Sequence, residues 1–474
     1  MVVEMPNSRE SAPERSYDFA VLGAGPGGLA AVTAARRMGL RVALIERNKL
    51  GGNSFNAGTI PSKTLIRTAR VYETMHEAEE FGVVHPVSPV VSFRAVMGRM
   101  RRIRARIAAY HSADRLQALG VDLIYGAARF VGRNVLAVGD ERLLFRKALV
   151  ATGARARRSN IPGLEAIGYQ TSESVFEMTA LPRRLAVVGG GPVGCELAQA
   201  FCRLGAHVTI IQDEPKFLPL EERDAAELLS RSMARDGVEI RLNTSVVGAR
   251  MQGGAKILDA TSDAVKSTVT ADEIILSIGR VPNVEGIGLD RASIAFAPDI
   301  GITVDDYLCT TNEDVYAAGD VSAAHKFANV AEAAACLAVE NALTGAMKRQ
   351  SELTVPWCTY CDPEIAHIGM QVWDARERSI PIKTYTVMMQ DVDRAITDGQ
   401  DEGFVKLHVR EGTDRILGGT IVASRASEMI NEVSVAMSAG IGLRDLARVL
   451  HTYPAQSEAI RMAAAAYVEG LPAA

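Results

Sequence analysis

Two glycine-rich loops, each set between an apolar strand and a helix, constrain the fold more than any other feature of this 474-residue sequence. The first loop, Gly23–Gly28 (GAGPGG), follows the apolar run Asp18–Leu22 and leads into a small-residue helix that reaches Met38. A second apolar strand, Arg41–Ile45, ends at Glu46. This order of strand, glycine loop, helix, strand and acid predicts a βαβ unit that binds a dinucleotide.

Each residue of this fingerprint has a physical task. Gly23 allows the tight turn, Gly25 lets a pyrophosphate approach the backbone at the helix N-terminus, and Gly28 lets helix and strand pack closely. Glu46 is expected to accept a hydrogen bond from a ribose hydroxyl.

The same pattern recurs later in the chain. Arg184–Val188 predicts a strand, Gly189–Gly194 (GGGPVG) the loop, Cys195–Leu204 the helix and His207–Ile211 the second strand. Two bound dinucleotides are therefore expected.

The second unit differs from the first at the position of its acid. This position carries Gln212, followed by Asp213 and Glu214, and no arginine stands close by to hold a 2′-phosphate. NADH is mildly favoured over NADPH, but a neutral Gln212 tolerates either.

Composition limits the class of protein. The length suggests about three domains, and a net charge of −4 gives no basic field that would attract nucleic acid or an acidic membrane. No run approaches the roughly 20 apolar residues of a membrane span. The polar stretch Met1–Ser16 is expected to be a loose tail. The weak net charge favours small-molecule partners, and the six cysteines, few for this length, favour a reducing compartment such as the cytoplasm.

Several further segments carry strand ends, glycine turns or short motifs. They are Gly51-Gly52, Pro61–Lys63 (PSK), Leu149–Ala154, Ile278–Asn283 (IGRVPN), Asn312–Asp320 and Asp362–Glu364 (DPE). Taken alone, the segment that ends at Asp320 has two equally good interpretations. It is either a simple turn at the end of a strand, or it places the Asp320 carboxylate to bond a ribityl or ribose hydroxyl. Together with the two glycine loops, the order and spacing of these motifs resemble the pyridine nucleotide-disulfide oxidoreductase family.

This resemblance implies an α/β fold with two Rossmann-like dinucleotide-binding domains, one for FAD and one for NAD(P)H, and a C-terminal α+β dimerisation domain. The implied boundaries are 17–152 and 280–350 for the two parts of the FAD-binding domain, 153–279 for the NAD(P)-binding domain and 351–474 for the dimerisation domain. A homodimer is the implied assembly.

The resemblance also assigns the cofactor-binding residues, with no metal site. Those for FAD are Gly23, Gly25, Gly28, Glu46, Gly52, Asn53, Lys63, Ala127, Thr152, Gly153 and Asp320. Those for NAD(P) are Gly189, Gly191, Gly194, Glu196, Gln212 and Gly279. Lys63 is expected beside the flavin and paired with Glu196, and a purely structural pair is the alternative.

The redox cysteines of the family are absent from their expected positions. Members carry two cysteines separated by four residues just before the Pro-Ser-Lys motif, whereas this sequence carries Ser54 and Thr59 there. A hydroxyl does not cycle between thiol and disulfide, so disulfide, lipoamide and glutathione reduction are not expected.

The acid/base pair of the family is altered as well. Tyr453 stands where members have a histidine, and Glu458 is retained. A phenol is a poor acid for thiol exchange but a reasonable hydrogen-bond donor to a carbonyl or quinone oxygen. Ser54, Thr59, Tyr453 and Glu458 are therefore candidates for a substrate pocket, and packing residues of a decayed site are the alternative. His451 is either a proton carrier with Glu458 or a structural histidine.

The region 391–440 looks most like the mercuric reductase branch, but mercury chemistry needs paired thiolates. The stretch Glu469–Ala474 contains no cysteine, so mercuric reduction is not expected. Thr59 and Tyr453 look more like soluble transhydrogenase, although that group usually keeps the first cysteine.

The cysteine pairs and one arginine-rich stretch have structural explanations that do not require a further functional site. Cys358 and Cys361 have redox spacing, but a strand is expected there, which would point them to opposite faces. Cys195 and Cys202 share a helix face and are expected to be packing residues. The arginines Arg94, Arg99, Arg101, Arg102, Arg104 and Arg106, with Arg115 further on, are expected to form a solvated face rather than a polyanion site.

The sequence therefore predicts an FAD-dependent NAD(P)H oxidoreductase that moves hydride through flavin N5 to a small non-disulfide acceptor, as a transhydrogenase or quinone reductase does. One alternative is a dehydrogenase that oxidises or reduces a specialised biosynthetic molecule. Another is a non-catalytic flavin-bearing scaffold or redox sensor.

Overall fold

A computed structural model describes residues 14–84 and 90–470 of the chain. These residues form two compact bodies. The first body contains the residues up to Ile60, Arg102–Arg155 and Arg280–Leu353. The second contains Pro61–Arg101, Ala156–Gly279 and the residues from Thr354 onward. The domain boundaries given above stay a prediction.

The described strands, in chain order, are β1 (Glu14–Leu22), β2 (Val42–Glu46), β3 (Val121–Tyr125), β4 (Ala128–Gly132), β5 (Val135–Val138), β6 (Glu141–Val150), β7 (Ala154–Ala156), β8 (Gln170–Thr171), β9 (Arg184–Val188), β10 (His207–Ile211), β11 (Glu239–Arg241), β12 (Ser245–Gln252), β13 (Ala255–Ser262), β14 (Val265–Ala271), β15 (Glu273–Leu276), β16 (Arg280–Pro282), β17 (Phe296–Ala297), β18 (Gly301–Ile302), β19 (Val315–Ala317), β20 (Pro356–Thr359), β21 (Glu364–Gly369), β22 (Ile382–Met388), β23 (Phe404–Arg410) and β24 (Ile416–Ala423).

The described α-helices are α1 (Pro26–Arg37), α2 (Gly52–Asn56), α3 (Thr59–His76), α4 (Phe93–Ala108), α5 (Ala113–Ala118), α6 (Leu164–Ile167), α7 (Pro192–Arg203), α8 (Arg223–Arg235), α9 (Ala328–Thr344), α10 (Val372–Glu377), α11 (Asp393–Thr397), α12 (Ala426–Ala439), α13 (Leu443–Leu446) and α14 (Glu458–Glu469). Short 3₁₀ turns, such as Ala109–His111, lie between some of them. No helix of the described segments has the length and apolar character needed to cross a membrane.

The first body is built on one sheet of order β3-β2-β1-β6-β5-β4, with β19 beside β6. Strands β3, β2, β1, β6 and β19 run parallel, β5 is antiparallel to β6, and β4 is antiparallel to β5. Phe19–Leu22 is a continuous buried run, as expected for a central parallel strand covered on both faces. Helices α1 and α9 pack together closely, because Gly27 has no side chain that would collide with the carbonyl of Ala331.

The first strand is longer than the sequence predicts. Glu14, Arg15 and Ser16 pair with Arg142–Leu144 of β6, so the prediction of a loose tail is wrong for these three residues, which the ladder holds in extended form. The rest of that predicted tail, residues 1–13, lies outside the described residues, as do residues 471–474 of the cysteine-free C-terminal stretch.

The second body contains a parallel sheet, β11-β10-β9-β15-β8, and two antiparallel sheets, β12-β13-β14 and β20-β21-β24-β23-β22. Strands β9 and β10 have the predicted bounds. Helix α7 starts at Pro192 rather than at Cys195, since proline is favoured in the first helical turn. Helices α12 and α14 cover the five-stranded antiparallel sheet. The two Rossmann-like units and the C-terminal α+β part give the predicted α/β class.

Two adjacent carboxylates join the parallel and antiparallel parts of this body. Glu222 accepts hydrogen bonds from Lys406 at 2.9 Å and His408 at 3.0 Å. Burial opposes ionisation, but the hydrogen bonds and electrostatic interactions with His408 and Lys406 hold the pKa of Glu222 down at about 2. Burial raises the pKa of the neighbouring Glu221 to about 7. The two carboxylates are therefore held in contrasting environments.

Candidate active site

The first glycine loop is fixed by Glu46. Its Oε2 accepts a hydrogen bond from the Ala24 N–H at 2.8 Å, and its Oε1 accepts one from the Asn48 N–H at 2.7 Å. Gly23 has a φ of +102°, and a Cβ on Gly28 would lie 1.8 Å from the Gly23 carbonyl oxygen. The loop therefore requires glycine at both positions, and the buried acid holds its shape.

This loop opens onto a cavity of about 920 Å³ in the first body. Seven of the residues predicted to bind FAD line it: Gly23, Gly25, Glu46, Gly52, Asn53, Ala127 and Thr152. Other lining residues, such as Asn48, Asn56, Gly126, Asn283 and Glu285, were not predicted from the sequence. Asn283 lies within a quoted motif, and that motif is the signal that indicates it.

Thr152 and Asn283 hold two walls of the cavity together. The Thr152 hydroxyl donates to the Asn283 carbonyl at 2.9 Å, and the Asn283 side-chain amide donates to the Thr152 carbonyl at 2.9 Å. The Asn53 amide donates to the Ala154 carbonyl at 2.9 Å, which ties α2 to the same wall. These reciprocal bonds position the predicted FAD-binding residues without any contribution from a thiol.

Four other predicted FAD residues, Gly28, Lys63, Gly153 and Asp320, are not among the cavity-lining residues. Gly153 has a φ of +68° and open space where a Cβ would stand. Asp320 forms an ion pair with Arg280 at 3.4 Å, and burial raises the pKa of Asp320 despite this cation. Arg280 belongs to the IGRVPN motif, but this role of its side chain was not predicted from the sequence.

The residues of the first cavity fit FAD. Gly25 faces open space, since a Cβ there would meet only the Gly52 Cα, at 3.9 Å. A pyrophosphate can therefore approach the backbone at the start of α1, where the helix N–H groups favour an anion. The cavity also has the volume of a cofactor site.

The second glycine loop repeats this construction in the second body. Gln212 is buried, and its Oε1 accepts a hydrogen bond from the Gly190 N–H at 2.6 Å, as Glu46 does from Ala24. Gly189 has a φ of +102°, and a Cβ on Gly194 would lie 2.1 Å from the Gly189 carbonyl oxygen.

Two glycines of this second site face open space. A Cβ on Gly191 would meet no atom within 4 Å, and the same holds for Gly279, whose φ is +101°. Gly191 directly precedes α7, as Gly25 precedes α1, so a second pyrophosphate fits here.

Lys63 and Glu196 form an ion pair within the second body. The Lys63 Nζ lies 2.7 Å from Glu196 Oε2, and the Tyr360 N–H donates to the other carboxylate oxygen at 3.0 Å. The Lys63 ammonium also lies 4.3 Å from the centre of the Tyr360 ring, in cation–π geometry. Glu196 is 4% exposed and Lys63 is 30% exposed, so the carboxylate is buried and the ammonium reaches toward solvent. The sequence predicted the pair and missed Tyr360.

The two positions expected to carry redox cysteines lie on successive helices, the short α2 and the 18-residue α3. Ser54 lies in α2, and Thr59 is the first residue of α3. The chain has no cysteine before Cys195, and all six cysteines are free.

The three C-terminal candidates have partners that the sequence did not indicate. Tyr453 is 74% exposed, and its hydroxyl donates to Asp393 Oδ2 at 2.5 Å. This hydrogen bond to Asp393 raises the pKa of Tyr453. Glu458 accepts a hydrogen bond from Arg461 at 2.8 Å.

His451 does not pair with Glu458. Its Nε2 lies 2.7 Å from Glu432 Oε1 and its Nδ1 lies 3.2 Å from the Val449 carbonyl oxygen. Glu432 on α12 occupies the imidazole and Arg461 occupies the glutamate within this chain, which favours the alternative of a structural histidine.

The cysteine pair with redox spacing does not lie on one strand. Strand β20 ends at Thr359, and Cys361 follows in the turn before Pro363, so the expectation of a strand is wrong for Cys361. Cys361 is buried and Cys358 is half-buried, and burial raises the pKa of both thiols. Cys195 and Cys202 pack in and against the core of the second body, as predicted.

Cys195 and Cys361 should resist alkylation in the native enzyme. Burial raises the pKa of both thiols, so little thiolate is present at pH 8. Treatment with iodoacetamide, followed by peptide mass analysis, should leave both unmodified until the protein is unfolded in urea, which serves as the control. New labelling after addition of NADH would instead reveal a disulfide that opens on reduction.

The arginine-rich helix α4 is only partly solvated. The exposed arginines are Arg94, Arg102 and Arg106, and those bonded to other elements are Arg99, Arg101 and Arg104. Arg99 donates to the Thr64 carbonyl at 3.2 Å, and Arg104 donates to the Asn56 carbonyl at 3.1 Å. The prediction of a solvated face is wrong for the bonded three, whose guanidinium groups satisfy backbone carbonyls.

Within residues 14–84 and 90–470, no group of three or more His, Cys, Asp or Glu side chains is placed to hold a metal ion.

Comparison with known proteins decides the family. The pyridine nucleotide-disulphide oxidoreductase family matches residues 17–335, and its dimerisation domain matches residues 355–464. The chain belongs to this family. The match of the dimerisation domain supports a homodimer, and as a member of the family the protein is an FAD-dependent oxidoreductase that uses NAD(P)H.

Similar members of the family include two bacterial enzymes. The mercuric reductase of Streptomyces lividans is 30% identical over 453 residues, which cover 94% of this chain and 95% of the relative. The dihydrolipoyl dehydrogenase of Thermus scotoductus is 31% identical over 461 residues, which cover 95% and 97%.

Solved structures of the family superimpose over nearly the whole chain. LpdA (Rv3303c) from Mycobacterium tuberculosis has a TM-score of 0.87 at 28% identity, covering 96% of this chain and 99% of that one. The HOCl-induced flavoprotein disulfide reductase RclA from Escherichia coli has a TM-score of 0.84 at 27% identity, covering 95% and 99%.

Proposed function

We propose that this enzyme transfers electrons from NAD(P)H through FAD to a small acceptor that is not a disulfide, as a transhydrogenase or quinone reductase does. The observation that carries the proposal is the presence of Ser54 and Thr59 at the positions of the family's redox cysteines, in a chain with no cysteine before Cys195. Hydroxyl groups cannot form the mixed disulfide through which thiol exchange proceeds. The free cysteines in the core are poor substitutes, since burial raises the pKa of Cys195 and Cys361.

The residues of the chain have separate tasks in this proposal. The first glycine loop and Glu46 bind FAD, and the second glycine loop and Gln212 bind the nicotinamide dinucleotide. Glu196 holds Lys63, which the family resemblance places beside the flavin. Bound FAD supplies the two-electron chemistry. Ser54, Thr59, Tyr453 and Glu458 are proposed to line the acceptor site of the homodimer, with the last two contributed by the partner subunit.

A test compares acceptors at a fixed NADH concentration. The holoenzyme should reduce menadione or 3-acetylpyridine adenine dinucleotide, and it should leave lipoamide and glutathione disulfide unreduced. Ser54→Ala and Thr59→Ala should keep this acceptor pattern, because neither hydroxyl passes electrons. Turnover of a disulfide would contradict the proposal.

Two other functions use the same fold. A dehydrogenase of a specialised biosynthetic molecule would run the hydride in either direction and would reduce none of these general acceptors. A non-catalytic flavin scaffold or redox sensor would bind FAD without being reduced by NAD(P)H. The intact second loop, with open space at Gly191, favours a catalytic protein over a scaffold. We further propose small molecules rather than nucleic acid as partners, and a cytoplasmic location, from the net charge and the few cysteines.

NADH should be preferred over NADPH by about tenfold in kcat/KM, because a 2′-phosphate would be repelled by nearby carboxylates. Gln212 lies at the end of β10, and the exposed Asp213 and Glu214 follow it directly. Steady-state kinetics with each dinucleotide measure the ratio. Gln212→Glu should increase the ratio further, with Gln252→Glu, at an exposed position of β12, as a control for the added charge. Equal or reversed preference in the wild type would refute this assignment.

A further inference from the structure

One histidine of the first body stands out because its ring nitrogens are unpartnered. His111 ends the 3₁₀ turn Ala109–His111, is half-buried, and forms no hydrogen bond to any of the residues that the structure describes. By contrast, both ring nitrogens of His367 are bonded, and the same is true of His408 and His451. These three histidines have structural tasks that His111 lacks.

The His111 ring is nevertheless held in place. Its centroid lies 4.5 Å from that of Phe55, and the two planes are 13° apart, so the rings are stacked. Phe55 lies in α2 between Ser54 and Asn56. Asn56 lines the cavity of the first body, and the Asn56 carbonyl accepts the hydrogen bond from Arg104. The stack therefore attaches an unpartnered imidazole to the element that carries Ser54.

We propose that the electron acceptor is a quinone and that His111 contacts it, donating the proton that completes its reduction. This inference rests on the function proposed above, in which Ser54 borders the acceptor site. The face of the His111 ring that Phe55 does not cover suits a planar ring, and Tyr110, its neighbour in the sequence, is 57% accessible. A planar conjugated dicarbonyl offers both the ring face and the oxygen that such a surface binds.

Proton balance favours a quinone over a second nicotinamide. Reduction follows NADH + H⁺ + quinone → NAD⁺ + hydroquinone. The hydride carries two electrons and one proton to the quinone, and the remaining oxygen must take a second proton from an acid. Transfer of hydride from NADH to another nicotinamide requires no such proton. An imidazole with free nitrogens therefore has a chemical task only in the first reaction.

The surroundings of His111 suit proton donation. Burial and the nearby charge of Arg115 lower the pKa of His111, which makes its protonated ring a stronger acid than a free imidazolium. Addition of hydride to the quinone leaves a hydroquinone monoanion, whose phenolate-type oxygen (phenol pKa about 10) is a stronger base than imidazole, so the proton transfer from His111 runs downhill. The half-buried ring then recovers its proton from solvent.

The test uses the FAD-loaded dimer and His111→Phe, which keeps an aromatic ring on Phe55 but removes both nitrogens. NADH-driven reduction of menadione should fall about 100-fold, whereas hydride transfer to 3-acetylpyridine adenine dinucleotide should be unchanged. Calorimetry of menadione binding to the oxidised enzyme, where no reaction occurs, should show about fivefold weaker binding because one hydrogen bond is lost. His76→Phe, at an exposed position on α3, is the matched control and should change none of these values.

Flavin content and the thermal midpoint establish that the variant is folded, and His111→Gln replaces it if it is not. Equal menadione turnover and binding in wild type and His111→Phe would overturn the role of His111. A wild-type enzyme that reduces only the nicotinamide analogue would overturn the quinone assignment and leave the proposed function standing. A wild-type enzyme that reduces a disulfide would overturn the proposed function itself.

Discussion

Replacing Glu196 with alanine is expected to lower the free energy of unfolding of the second body by about 3 kcal/mol, because the Lys63 ammonium then loses the carboxylate that compensates its charge. The carboxylate accepts hydrogen bonds from both Lys63, at 2.7 Å, and the Tyr360 N–H, at 3.0 Å. The partial exposure of Lys63 places the estimate at the low end of the usual range, because water can solvate the released ammonium. Urea unfolding followed by circular dichroism measures the loss.

Glu196→Gln is the matched control for this change. The amide keeps an oxygen for the Tyr360 N–H and loses only the charge, so it should retain more than half of the lost stability. If the two variants are equally unstable, the charge of Glu196 is the whole effect. If neither is destabilised, the ion pair contributes nothing to folding. A large loss of flavin reduction by NADH in a stable Glu196→Gln would support a role for Lys63 beyond structure.

Gly191→Ala is expected to abolish most NADH binding while FAD binding and folding stay normal. The added methyl meets no protein atom within 4 Å, so the free protein accommodates it. It would occupy the space through which a pyrophosphate approaches the start of α7, and an overpacked contact costs about 1–3 kcal/mol, or roughly a 5- to 150-fold weaker Kd. Flavin bleaching as a function of NADH concentration measures this change.

Two other glycine substitutions serve as comparisons for Gly191→Ala. Gly194→Ala places its methyl 2.1 Å from the Gly189 carbonyl oxygen, so it should disturb the loop and lower stability as well as binding. Gly25→Ala, at the matching position of the first loop, should lower FAD content and leave NADH binding to the apoenzyme unchanged. If Gly191→Ala binds NADH as the wild type does, the second loop is not the nicotinamide site.

Local sequence was sufficient to predict the two nucleotide-binding units. Strand, loop, helix and strand follow one another within about thirty residues, so each fingerprint is complete in one short segment. The structure confirms the strands on both sides of each loop and shows Glu46 and Gln212 in equivalent positions, each holding a loop N–H. The backbone role of these two side chains was not predicted, because the fingerprint considers only their contact to a ribose.

The partners of the chemical side chains were harder to predict because they are distant in the sequence. Tyr453 bonds to Asp393, which is 60 residues away, and Tyr360 reaches Glu196 across 164 residues. Folding of the five-stranded antiparallel sheet and its covering helices creates these contacts, and no local pattern encodes them. The same reason explains why the sequence indicated Glu458, and not Glu432, as a possible partner of His451.

Anaerobic titration of the purified FAD-loaded enzyme with NADH tests most directly whether it works without a redox disulfide. We expect the flavin to bleach fully with one two-electron equivalent per subunit and without the long-wavelength band that a thiolate gives beside an oxidised flavin. Uptake of two equivalents, or appearance of that band, would show that other cysteines replace the missing pair and would contradict this account.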